Sequence, residues 1–135
     1  MVEICTSDDA VLGQETKQSE GCKKLRITKQ IDFTKKSGVE AACNAIYGPY
    51  DVVFMSLPCV GGCPWNYVNA IKGPEAVRRI RGYWALFGVL WRGVEKVLAL
   101  AFEKGATIVI EWPRPCRYWH VEKVRKAMEK YRLEL

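Results

Sequence analysis

No run of about eighteen or more apolar residues occurs in this chain, so no segment is expected to cross a bilayer as a helix. The opening residues, MVEICTSDD, lack the basic stretch that begins a secretory leader, and no signal peptide is expected. Internal repeats, low-complexity tracts and linker-like stretches are missing too. The 135 residues therefore read as one domain, 1–135, long enough to bury a core. A cytoplasmic or nuclear setting follows.

What is present is an excess of positive charge and a set of six cysteines. The formal charge of +6 fits an anionic partner, nucleic acid first, through non-specific electrostatics. The cations are spread over Lys23-Lys24, Lys35-Lys36, Arg78-Arg79-Arg81, Arg114 and Arg117, and 123–130. A solvated surface accounts for many of them. In a reducing compartment, cysteines serve as buried small hydrophobes, catalytic groups or metal ligands. Cys5, Cys22 and Cys43 read as core or near-core. Cys59, Cys63 and Cys116 are set apart by the prolines and glycines around them.

Strand and helix patterns alternate along the chain. A short apolar strand over 2–5 is followed by Thr6-Ser7-Asp8-Asp9, good capping types for a helix over 10–19. Residues 24–28 (KLRIT) alternate as a second strand. Asp32 lies in a loop, and a short helix is expected over 39–47, closed by Gly48-Pro49. The run 52–55 (VVFM) is a third strand, followed by a loop rich in glycine and proline up to Gly73. Pro74 then opens the longest helix, which runs to about Lys104 with Gly105 after it. A fourth strand covers 106–110, a last helix 120–131, and 133–135 reads as the start of another strand. This alternation implies an α/β, Rossmann-like three-layer sandwich around a mostly parallel sheet of about four strands. The expected order is 2-1-3-4, with helices on both faces and the switch point between the first and third strands. Four strands is a minimal set for such folds.

Chemistry collects at the strand ends. Leu57-Pro58-Cys59 delivers a thiol beyond the third strand, into a loop loosened by Gly61 and Gly62. Such a thiol is either structural or, with its pKa lowered by neighbours such as Arg114 and Arg117, a nucleophile. Glu111 ends the fourth strand and is either an acid that meets a substrate nitrogen or the ion-pair partner of a nearby arginine or lysine. Asp32 beyond the second strand is either a ligand for a ribose hydroxyl or adenine amino group, or the head of an Asx turn. Asp8 and Asp9 carry a similar choice between ligand contact and helix cap. Cys59, Cys63, Cys116 and His120 also make up a three-sulfur, one-nitrogen set of the kind zinc accepts, at looser spacing than the usual knuckle.

Aromatic residues fall into two groups. Positions 80, 84, 87, 91, 94 and 98 form one apolar stripe along the long helix, as core packing requires. Gly82, Gly88 and Gly93 interrupt that helix and permit either a kink or the close approach of another element. Trp65, Trp112, Tyr118 and Trp119 lie instead on the two strand-end loops, where they either stack on a base or roof the core.

The order of these residues resembles class I S-adenosylmethionine-dependent methyltransferases, most nearly their cytosine-C5 DNA methyltransferase branch. The matching pieces are Pro58-Cys59, Glu111 after the following strand, and Asp32-Phe33-Thr34. The string is also similar to methyltransferase-like segments embedded in retroelement polyproteins of unicellular algae. The resemblance implies that Cys59 attacks a base and Glu111 holds it. It implies a cofactor site for S-adenosylmethionine at Cys5, Thr6, Ser7, Asp8, Asp32, Ser56 and Pro58, with residues 3–13 as the methionine-moiety loop. It further implies that Trp65, Arg114 and Arg117 meet the nucleic acid. The sequence departs from that pattern at several points. Cys5-Thr6-Ser7-Asp8 stands where Gly-x-Gly is expected, Val60 where Gln follows Pro-Cys, and Trp112 where Asn follows Glu. Two other expectations stand beside methyl transfer: a catalytically silent nucleic-acid-binding or assembly module of a mobile element, and a zinc-stabilised domain.

Overall fold

The structure is a computed structural model that describes residues 1–12, 14 and 16–135, Gln18 by its backbone only. Four short strands, β1 (Val2–Ile4), β2 (Leu25–Ile27), β3 (Val52–Met55) and β4 (Thr107–Ile110), form a parallel sheet in the order β2-β1-β3-β4. The helices are α1 (Lys36–Asn44), α2 (Asn66–Ala70), α3 (Pro74–Glu103) and α4 (Glu122–Tyr131). The α/β class, the strand order and the position of the switch point are those the alternating pattern implies.

Strand register decides which side chains share a face, because successive residues point to opposite sides. Val2 lies beside Leu25 and Val53, Ile4 beside Ile27 and Met55, and Ile108 and Ile110 continue the row. This apolar face packs with Val39, Ala42, Phe87, Leu90, Trp91, Val94 and Leu98 in a single core. α1, α3 and α4 all lie on that side, α3 in contact with both of the others.

The other face follows from crossover geometry. The β1–β2 connection moves along the sheet in the opposite sense to the later crossovers, so right-handedness puts it on the opposite side. The helix expected over 10–19 is not formed there. Among the described residues this connection has turns and one 3-10 turn over Lys17–Ser19, and Gly13 and Glu15 lie outside the description. Its sequence explains the difference. Within 10–19, Ala10, Val11 and Leu12 are the only apolar residues, Val11 and Leu12 are exposed, and polar residues follow, so no stripe exists to bury. The helical layer expected on this face is represented by the connection alone.

Three smaller expectations also change. Cys22 is exposed in the turn before β2 rather than near the core. Residues 133–135 form no strand. α4 ends where Arg132 turns left-handed (φ 55°) and the Leu133 N–H donates to the Met128 carbonyl. The loop after β3 also contains a 3-10 turn, Val60–Gly62, and the short α2.

α3 begins with Pro74 at its first turn and ends before Gly105, whose φ of 71° suits glycine. Of its three glycines, only Gly93 is a close-approach site. A Cβ there would lie 2.8 Å from Val39 Cγ2 and 3.0 Å from Phe33 Cε1, whereas Cβ atoms at Gly82 or Gly88 would meet nothing. Gly82→Ala and Gly88→Ala are therefore expected to raise stability, each by up to about 1 kcal/mol through helix propensity. Gly93→Val is expected to lower it by about 1–3 kcal/mol through overpacking. Urea denaturation of the three variants measures both signs.

Candidate functional site at the strand-end rim

A cavity of about 450 Å³ opens at the carboxyl end of the sheet between β1, β2 and β3. Cys5, Thr6, Ser7, Asp32 and Pro58 form its rim, and Ile27, Phe33, Leu86 and Leu90 its apolar walls. This is the switch-point crevice of an open α/β sheet. Cys5 turns the chain out of β1 in a left-handed conformation (φ 60°), which an L side chain rarely adopts, while its N–H still reaches the Ile27 carbonyl at 3.0 Å. Burial, and then the Asp32 charge, push the Cys5 thiol up from near 9.0 to about 11. Cys5 is a neutral thiol in this site.

Asp32 heads its own turn. Its Oδ1 accepts from the Thr34 hydroxyl at 2.6 Å and from the Thr34 N–H at 2.9 Å, and Lys35 Nζ lies 3.5 Å from Oδ2. The Thr34 hydroxyl, then the Thr34 N–H, hold its carboxyl below the usual carboxylate range. Asp32 thus heads an Asx turn, and it stands at the mouth of the crevice.

One interaction builds the crevice wall. Glu3 in β1 is only 1% exposed, and its Oε2 receives Arg26 Nε from β2 at 2.9 Å. The same guanidinium donates to the carbonyls of Ser7 (2.7 Å), Asp8 (3.1 Å) and Ala10 (3.2 Å). Arg26 therefore ties the first connection to the sheet and sets Thr6 and Ser7 beside the cavity. Asp8 takes part through its carbonyl, and its side chain is exposed. Neither Glu3 nor Arg26 stands out by motif. The signal was their shared position on the non-core side of two strands that pair.

The neighbouring sector of the rim lies beyond β3 and β4. Ser56 Oγ donates to Glu111 Oε2 at 2.7 Å, so Ser56 sits on the Glu111 side and is not part of the crevice lining. The two loops are also joined where buried Trp112 donates its indole N–H to the Leu57 carbonyl at 2.9 Å. Pro58 reaches the crevice, while Cys59 begins the 3-10 turn next to it, half-buried. Burial pushes the Cys116 thiol up, and the nearby Cys59 and Cys63 push it further. Burial, Cys116 and Cys59 raise Tyr118 to about 12. Cys59 thus belongs to a thiol and phenol cluster beneath the loop. Gly62 permits this packing: a Cβ there would lie 2.5 Å from Cys116 Sγ. Tyr118 itself stacks on Phe87 with ring centroids 3.9 Å apart, and Trp112 and Tyr118 roof the core. Among the described residues, no three His, Cys, Asp or Glu side chains are placed to hold a metal ion, the Cys59, Cys63, Cys116 and His120 set included.

Further along the loops that follow β3 and β4, Trp65 is 70% exposed, and Arg114 is exposed. Arg117 lies over the ring of Tyr67, 4.5 Å from its centroid. Tyr67, which no motif marks, links α2 to the loop after β4. No helix among the described residues is long and apolar enough to cross a membrane.

The raised thiol and phenol have a consequence in alkali. A group whose folded pKa exceeds its unfolded value contributes stability below the unfolded value and loses it as pH rises through the folded one. For Cys5 (9.0 to about 11) and Tyr118 (10.0 to about 12), Tm is expected to hold to about pH 9 and then fall toward about pH 12. Cys5→Ser is expected to flatten the lower part of that fall. Circular dichroism melts across the pH series measure it. Compared with family models, curated proteins and solved structures, the chain matches none of them.

Proposed function

We propose that the chain binds S-adenosylmethionine in the switch-point crevice and transfers its methyl group to a nucleic-acid base. The observation that carries this reading is the order of groups along one rim: the crevice, then Pro58-Cys59, then Ser56 hydrogen-bonded to Glu111. The crevice residues fit such a cofactor. Its volume of about 450 Å³ lies within the range of small-ligand sites, roughly 300–1,000 Å³. Phe33, Leu86 and Leu90 offer apolar walls, and Asp32 offers an ionised carboxylate to hydroxyl or amino donors. The bound cofactor would supply an electrophilic methyl group on a sulfonium.

The chain's own residues do the rest. The Cys59 sulfur gives its proton to solvent and bonds a ring carbon; the neighbouring carbon takes the methyl group and gives its own proton to solvent, and the carbon–sulfur bond then breaks to free Cys59. Glu111 hydrogen-bonds the base edge, held in place by Ser56. Arg114, Arg117 and Trp65 receive phosphate and base. A duplex substrate would need its base turned out of the stack. Six free thiols suit a reducing compartment, cytoplasm or nucleus.

A second reading is a silent nucleic-acid-binding or assembly module, of the kind a mobile element carries. One observation favours it: Cys59 is half-buried at the start of the 3-10 turn and is not part of the crevice lining.

Titration calorimetry separates the two. Saturable heat with S-adenosylmethionine is expected, abolished by Leu86→Trp, which fills the crevice, and retained by Cys59→Ser. Methyl incorporation into an oligonucleotide is expected to vanish in Cys59→Ser. No heat at about 1 mM cofactor, a binding free energy weaker than about −4 kcal/mol, would contradict the cofactor site. Binding without transfer would leave the silent module.

A further inference from the structure

The positive charge of the chain does not centre on the rim. α3 and α4 enclose a groove of about 620 Å³, the lining of which includes Arg92, Glu95, Lys96, Lys123, Lys126 and Lys130. Arg92 and Lys96 are one helical turn apart on α3, and the three lysines of α4 recur at three- and four-residue steps, so each helix turns a cationic stripe to the groove. A second groove of about 470 Å³, between α1 and α3, shares Arg92 and Lys96 and adds Lys35, Lys36 and Glu40. The two grooves meet at those shared residues, and the cations form one band across the helical face.

Pairing leaves much of this charge uncompensated. Lys35 has Asp32 at 3.5 Å, Lys36 has Glu40 at 3.4 Å, and Lys126 has Glu122 at 2.7 Å. Among the described residues, Arg92, Lys96, Lys123 and Lys130 have no carboxylate within ion-pair distance. Glu95 acts on Lys123 from within the groove. Even so, burial first and the Arg92 charge as well hold the Lys123 ammonium below its usual range. Its Nζ sits 4.6 Å from the centre of the Phe87 ring. Ala99 and Ala127 line the α3–α4 groove with small side chains.

We propose that this helical face binds the phosphate backbone of nucleic acid, along the cation band that crosses α1, α3 and α4. A single small anion needs converging donors, whereas these cations are strung over three elements and two joined grooves. That spacing suits a repeating polyanion, whose neutralisation releases counterions. The inference rests on the nucleic-acid part of the proposed function and not on the cofactor. It separates the surface that holds the backbone from the rim, where a base would react.

The test is fluorescence anisotropy of the full chain with a labelled duplex of about 20 base pairs, from about 50 to about 200 mM salt. Two variants are compared: a band variant (Arg92→Glu, Lys96→Glu, Lys130→Glu) and a rim variant (Trp65→Ala, Arg114→Ala, Arg117→Ala). The band variant is expected to lose at least about tenfold in affinity at the lowest salt, and its log–log salt slope is expected to shrink by about 2–3, near 0.9 per lost phosphate contact. The rim variant, which removes two phosphate-facing arginines, is expected to lower its slope by no more than about 2 and to lose less affinity than the band variant. A matching glutamine triple at the band positions, with circular dichroism, guards against a fold defect and is expected to show the same change of slope with a smaller loss of affinity. An unchanged band variant, a rim variant that alone loses the slope, no duplex binding at all, or binding only to phosphatidylserine vesicles would each overturn the proposal. Calorimetry with S-adenosylmethionine reads the crevice separately, so either reading can fail alone.

Discussion

The contact between Glu3 and Arg26 is the constraint on which the rest of the architecture depends. A carboxylate that is 1% exposed has lost nearly all its hydration, a penalty of several kcal/mol unless a close cation and hydrogen bonds replace the water. Arg26 supplies the cation at 2.9 Å. Its remaining N–H groups reach three carbonyls of the first connection. One side chain thus satisfies a buried charge and fixes a loop that has no helix of its own. On the opposite face the same task falls to apolar packing, where Trp91, Val94, Val97 and Leu98 are fully buried against the strands. The sheet is covered by two different physical means, and the crevice lies at the carboxyl end, between the clamped connection and α3.

This asymmetry explains what could be read from sequence. VVFM at β3 and the long amphipathic run of α3 bury strong, unambiguous patterns, and their bounds match the expectation closely. The order of strands followed from alternation and handedness. The segment after β1 has capping residues but no apolar stripe, so capping types alone misled. The strand expected at 133–135 failed for a related reason: two leucines in three residues read as a strand, whereas Arg132 ends α4 by a left-handed turn and Leu133 folds back onto it. Three-dimensional pairing was the missing information in each case. It was missing at the site too. Asp32, Pro58 and Glu111 were legible as strand-end residues. The Arg26 clamp, the bond from Ser56 to Glu111 and the stacking of Arg117 on Tyr67 arise only once the strands are side by side.

The functional reading draws on the same division of the molecule. The rim is chemically mixed, with a crevice that pairs apolar walls with one carboxylate, and a thiol cluster beside an exposed Glu111. The helical face is chemically uniform, with cations outnumbering the carboxylates Asp32, Glu40, Glu95 and Glu122 around them. A mixed rim suits selective contact with a small group, whereas a uniform band suits a polyanion of any sequence. α3 joins the two, since Leu86 and Leu90 wall the crevice and Arg92 and Lys96 stand on the band about a turn further along.

Hydrogen exchange on a double variant, Glu3→Met with Arg26→Met, tests the clamp most directly. An apolar pair of similar volume removes both charges and is expected to leave the sheet folded. The Ser7, Asp8 and Ala10 carbonyls lose their donor, so the account predicts faster exchange of the Ala10 amide, which donates to the Ser7 carbonyl at 3.2 Å, with the amides of β1 and β3 still protected. Unchanged exchange of the Ala10 amide in a folded double variant would show that something other than this ion pair holds the connection, and would contradict the account.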